Sequence, residues 1–195
     1  MKANFVKTFI PAKDFVAVEK VGNKMLVRFD AVKDADTDAY SCVEGSVSAS
    51  EYNEQEMRRE YEAWKQKWAE KALVLAKKAK IAEIAAYDTS DKVNGFILNG
   101  LLVWLDKATR VGLMNSTTIA KAAGQETTTL WLGGLKLVVD CDKAIQLLSS
   151  LEMYALECFN VTASHKQAVS ELTTIEEVEA YDYKTGYPKM LEMSV

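Results

Sequence analysis

Between residues 91 and 191 the apolar positions repeat one pattern twice: an apolar run, a two-residue turn, a second apolar run, an aspartate and a helix. Phe96-Ile97-Leu98 and Leu101-Leu102-Val103-Trp104-Leu105 flank Asn99-Gly100, a pair that tolerates the positive φ angles of a tight hairpin turn. Asp106 stands where an N-cap carboxylate accepts a backbone N–H, and Gly124 where a left-handed residue ends a helix. A helix over about 107–123 follows. Thr129-Leu130-Trp131-Leu132 and Leu135-Lys136-Leu137-Val138-Val139 repeat the hairpin around Gly133-Gly134, and Asp140 opens a longer helix ending near Leu172. The two turns lie 34 positions apart, as do the two aspartates, so the spacing predicts two ββα units. They are either a duplication or two hairpins sharing one turn grammar. Thr174 and Glu177 make a capping box for a short last helix that Gly186 closes before Pro188.

The helix after Asp140 carries Ile145, Leu148, Leu151, Tyr154 or Ala155, Cys158, Thr162, His165, Val169 and Leu172 at steps of three and four, the signature of one buried face. Nearer the start, Phe15-Val16-Ala17-Val18 and Met25-Leu26-Val27-Arg28-Phe29 are β-prone runs joined across Val21-Gly22-Asn23-Lys24, which predicts a hairpin. Residues 31–38 read as acidic and turn-rich, and 46–50 as a linker or the entry to a helix. Residues 51–87 contain neither Gly nor Pro and predict a helix of about ten turns. The fold class is therefore α+β. It has a small β-hairpin module over 1–50, a long connecting helix over 51–87 and a C-terminal α+β domain over 88–195 with two ββα units and a long core helix.

Met57, Tyr61, Trp64, Trp68 and Leu75 fall on one stripe of the connecting helix, interrupted by Lys71. The stripe suits either self- or partner association or packing against the rest of the chain. Two tryptophans fit a groove or interface better than a narrow two-stranded seam. The cluster Lys77-Lys78-Ala79-Lys80 reads as a solvated helix face.

Composition changes the picture by exclusion. The 195 residues are 49% hydrophobic and 27% charged, enough to bury a core, and the formal charge of −4 gives no general attraction to nucleic-acid phosphates or anionic lipid. No apolar run approaches the length that spans a bilayer and none resembles a signal peptide, so the expectation is a cytoplasmic protein. Cys42, Cys141 and Cys158 are odd in number and lack metal-type spacing, which fits reduced structural thiols. With one histidine and no CxxC, neither a metal site nor a cofactor is expected. No nucleotide-binding glycine pattern, nucleophile elbow or triad spacing is present, so no catalytic residue is assigned. Arg110, in the first turn after Asp106, can pair with a carboxylate of the second unit such as Glu152 or Glu157, or recognise an anion. His165 lies on the buried stripe and reads as a hydrogen-bonded core residue or, less economically, a base.

Asn99-Gly100, Trp104-Leu105-Asp106, Thr109-Arg110, Leu130-Trp131-Leu132, Leu151-Glu152, Tyr154-Ala155, Val161-Thr162-Ala163-Ser164-His165-Lys166, Tyr181-Asp182-Tyr183 and Gly186-Tyr187-Pro188 together resemble domain of unknown function 4376. The resemblance covers about residues 88–191. It implies a bacterial or bacteriophage setting, often near tail-fibre or tail-assembly genes, and no established catalytic residues. A virion-associated location is then the alternative to a cytoplasmic one. Two functions remain. The first is a non-enzymatic phage- or prophage-derived structural or assembly protein that uses its long helix to bind a protein partner or a second copy. The second is a small anionic-ligand binding module or weak hydrolytic enzyme, with Arg110, His165 and Glu157 around one pocket.

Overall fold

A computed structural model describes residues 2–195, and the chain divides into two compact units, Met1–Ala72 and Leu73–Val195. The fold is mixed α+β, and each unit has its own apolar core.

In the first unit β1 (Asn4–Pro11), β2 (Val18–Val21), β3 (Lys24–Asp34) and β4 (Ala39–Ser48) form an antiparallel sheet in the order β1-β4-β3-β2. The hairpin turns at Gly22, with φ of 59°, but its first strand starts at Val18, so most of the run from Phe15 lies outside it. The module is also larger than one hairpin. Strands β1 and β4 join it through a pairing distant in sequence, and β4 continues to Ser48, through most of the segment expected as a linker. One face of the sheet buries Phe5, Val27, Phe29, Val43 and Val47 beneath Met57 and Tyr61 of α1 (Glu54–Asp88). Gly45 pairs with both Phe5 and Val27, and a Cβ there would stand 2.5 Å from Met57 Cε and 2.7 Å from the Phe5 ring. The missing side chain is what lets the helix seat Met57 on the sheet. Between Phe29 and Val32 the β3–β4 register slips, and Asp30 adopts φ of 47°. Its carboxylate accepts from Lys65 Nζ and from the Tyr61 hydroxyl, each at 2.7 Å. The Lys65 bond first, and then that of Tyr61, hold the Asp30 carboxyl below its ordinary range.

The second unit takes in the end of α1, a short α2 (Asp91–Asn94), then β5 (Gly95–Leu98), β6 (Leu101–Trp104) and α3 (Lys107–Ala122), then β7 (Thr127–Leu132), β8 (Leu135–Asp140) and α4 (Cys141–Glu171). These are the two ββα units. Their turns use positive φ at Asn99 and Gly100 and at Gly133 and Gly134, which matches the twist of tight hairpins. Asp106 accepts the Thr109 N–H, and Asp140 accepts those of Asp142 and Lys143, so both aspartates cap their helices. Helix α5 (Ile175–Ala180) has the Thr174/Glu177 capping box but ends at Ala180; Gly186 instead turns the loop beyond it, with φ of 78°. A last strand, β9 (Leu191–Met193), runs parallel to β5 and completes a sheet in the order β6-β5-β9.

Phe96, Leu98, Leu130, Leu132, Leu148 and Leu151 are fully buried in the main core of this unit. A smaller cluster of Ile84, Val169 and Val178 joins α1, α4 and α5. Two of the lysines expected on a solvated face do more than face solvent. Lys77 Nζ donates to the Ser170 carbonyl and Lys80 Nζ to the Glu179 carbonyl, so each serves the open C-terminal end of a helix. Thr117 of α3 is fully buried and its hydroxyl finds no partner among the described residues. Thr117→Val keeps the shape and removes the unpaired group, so a gain of about 1 kcal/mol is expected in urea denaturation. A loss would mean that the hydroxyl is hydrogen-bonded in solution.

Candidate functional site

The clearest concavity of the second unit opens where β6 hands over to α3. Trp104 ends the strand with its indole half-exposed, Leu105 turns inward, and Asp106 starts the helix. The Thr109 hydroxyl first, and its backbone N–H with it, hold the Asp106 carboxyl below its ordinary range. Capping places Arg110 in the first turn, directed towards α4. Its Nε donates to Glu152 Oε1 at 2.7 Å and its Nη1 to the Leu105 carbonyl at 2.8 Å. Arg110 is 7% exposed, so this is a nearly desolvated ion pair. Together with Glu152, the residues Ala155, Leu156 and Phe159 of α4 form one wall, and Trp104 faces them across a cleft of about 390 Å³. Asp88, Thr89 and Asn94 close its end, and Lys107 stands at its rim.

Behind this wall the polar groups serve the fold. The Tyr154 hydroxyl and the Cys158 thiol both donate to the Val93 carbonyl, at 2.7 and 3.3 Å, and burial raises the pKa of each. The Thr162 hydroxyl donates to Asp88 Oδ1 at 2.8 Å. A thiol kept protonated in this way is a poor nucleophile.

Of the anion-site residues, only Arg110 lines the cleft. Glu157 is exposed on α4, and His165 lies 13 residues beyond Glu152, roughly 20 Å along the helix. His165 Nε2 is 2.9 Å from the Thr185 carbonyl, which can only accept, so this nitrogen carries the hydrogen. Its Nδ1 lies 2.8 Å from the Tyr181 hydroxyl. Both ring nitrogens are thus engaged in tying the segment after α5 to α4. Arg110, Glu157 and His165 do not share one pocket. Among the described residues no cluster of three or more His, Cys, Asp or Glu side chains is placed to hold a metal ion.

The α1 stripe divides by environment. Met57 and Tyr61 are buried in the core of the first unit because the sheet offers them an apolar face, and Trp64 is partly buried beside them. Trp68 is 46% exposed and stacks on Trp64 with ring centroids 5.5 Å apart. Lys7 of β1 holds its ammonium 5.2 Å from the Trp68 ring, and Phe9, on the same face two residues on, is 72% exposed. Leu75, in the second unit, is also exposed. This aromatic surface needed the position of β1, which local pattern did not disclose.

One family model, described as Domain of unknown function (DUF4376), matches residues 75–185. The matched span begins within α1 and takes in both ββα units, α5 and the loop after it. No curated protein and no solved structure matches the chain. No helix among the described residues is long and apolar enough to cross a membrane.

Proposed function

The chain belongs to the family described as Domain of unknown function (DUF4376), and from that premise we propose a non-enzymatic assembly protein that binds a protein partner or a second copy through α1. The observation that carries the proposal is Trp68. Stacking on Trp64 and the neighbouring Lys7 ammonium hold this large ring in one place while nearly half of it faces water. A pre-ordered exposed tryptophan loses little conformational freedom on docking and buries much apolar surface, which is why tryptophan dominates interface energetics. Phe9 extends the same surface. An origin among bacteriophage or prophage proteins is part of this reading and rests on the family resemblance alone. The anion-binding alternative is weaker, because an anion at Arg110 would have to displace Glu152 from a closed ion pair.

A photo-crosslinking residue placed at Trp68 in the full chain, expressed in its host, is expected to give one discrete adduct on irradiation. The same residue at the exposed Gln66 gives none. An adduct of twice the chain mass identifies a second copy, and any other mass identifies a partner protein. Equal labelling at both positions, or none at Trp68, removes the proposed role of this surface.

A further inference from the structure

We propose that the outer face of α4 is a separate self-association surface, packing antiparallel on α4 of a second copy about a two-fold axis at Leu156. Three large apolar side chains follow one another along this solvent-facing ridge: Met153 at 60% exposure, Leu156 at 49% and Phe159 at 60%. Trp104, across the cleft from Leu156 and Phe159, widens the apolar area. Single exposed apolar residues are ordinary, but four neighbours exposing roughly 400 Å² in all reach the size of patches that mark contacts.

The symmetry of the ridge selects the occupant. A two-fold contact requires each residue to meet the one equally far from the axis on the opposite side. With the axis at Leu156, Met153 meets Phe159 of the second copy, a sulfur–aromatic pairing, and Leu156 meets itself. Further out, Ser149 meets Ala163, both small enough to let the helices approach, and Glu152 meets Asn160, a carboxylate facing an amide. Gln146 meets Lys166, so no like charges oppose one another along the contact. Residues 149, 153, 156, 160 and 163 also follow the alternating steps of three and four that a helix pair needs. A foreign partner would have no reason to be met by a surface so closely matched to its own reverse. The apolar area is about half of the roughly 800 Å² that each partner contributes to a standard interface, so the dimer is expected in the micromolar range.

The full chain is tested by analytical ultracentrifugation between about 1 and 200 µM. The mass is expected to rise to that of a dimer, and Leu156→Asp, which places two carboxylates at the axis, to hold the protein monomeric with an unchanged melting temperature. Trp68→Ser leaves this dimer intact, which separates it from association through α1. Cross-linking fixes the register. Leu156→Cys is expected to oxidise to a disulfide-linked dimer. Met153→Cys alone is not, because two copies of position 153 stand roughly 9 Å apart along the helices, yet it links to Phe159→Cys in a mixture. The three native thiols are buried and do not compete. A monomer at every concentration, or a dimer that survives Leu156→Asp, overturns the proposal; dissociation by Trp68→Ser alone assigns association to α1 instead.

Discussion

Gly95→Ala is expected to destabilise the second unit by about 3 kcal/mol, at the top of the usual range for overpacking, because the obstacle is backbone and cannot move aside. Gly95 begins β5 with ordinary angles, φ −72° and ψ 151°, so conformational freedom is not the issue. Its N–H donates to the Asp91 carbonyl across the one-turn helix α2, and a Cβ would overlap that same carbonyl oxygen. To relieve the clash, either α2 unwinds or β5 shifts. β5 is the centre of the β6-β5-β9 sheet and carries Phe96 and Leu98, both fully buried. Gly100→Ala is the matched control. Gly100 has φ of 81° with open space around it, so only left-handed strain applies, about 1 kcal/mol. Urea denaturation followed by tryptophan fluorescence separates the two. Equal losses would mean that the close approach of Asp91 to Gly95 is absent in solution.

Glu152→Ala is the second large effect, with an expected loss of about 2–3 kcal/mol, since it leaves Arg110 buried with only the Leu105 carbonyl as partner. The figure is below that for a fully buried pair because the Glu152 side chain keeps a third of its surface in water. Replacing both members, Arg110→Met with Glu152→Leu, is expected to recover most of the loss, because apolar groups of similar size need no desolvated partner. A double-mutant cycle by urea denaturation therefore yields a large coupling energy. Additive single losses would show that Arg110 reaches water, and would return it to consideration as an anion ligand.

These positions also show what could be read from the chain. The hairpins at Asn99-Gly100 and Gly133-Gly134, the caps at Asp106 and Asp140, and the Thr174/Glu177 box depend on residues within a few positions of one another, and the structure has all of them. The pairing of Arg110 with Glu152 was legible as one of two options, because both helices were legible. Strands β1, β4 and β9 were not. β4 carries Gly45 and four serines, and its stability comes from Phe5 and Val27 on either side rather than from its own propensity. β9 has three residues and exists only as a neighbour of β5. The α1 stripe was read correctly as a stripe, but one helical periodicity cannot say how much of it a sheet will cover. Coverage stops after Trp64, and that is why Trp68 is available.

The parallel pairing of β5 with β9 has a consequence for synthesis. Asn99 closes on the last strand at both ends, receiving the Val195 N–H on its side chain and donating its own N–H to the Met193 carbonyl. The first of these contacts spans 96 positions. At about 5–20 residues per second, β5 emerges from the ribosome at least several seconds before its outer neighbour exists. The first unit has all its strands and the helix that covers them within residues 1–72 by then, but the β5–β6 hairpin waits with one edge unpaired. Nascent chains stalled between residues 105 and 190 should therefore expose Phe96 and Leu98 to chaperones, and the second unit should gain protease resistance only after residue 193 has cleared the exit tunnel.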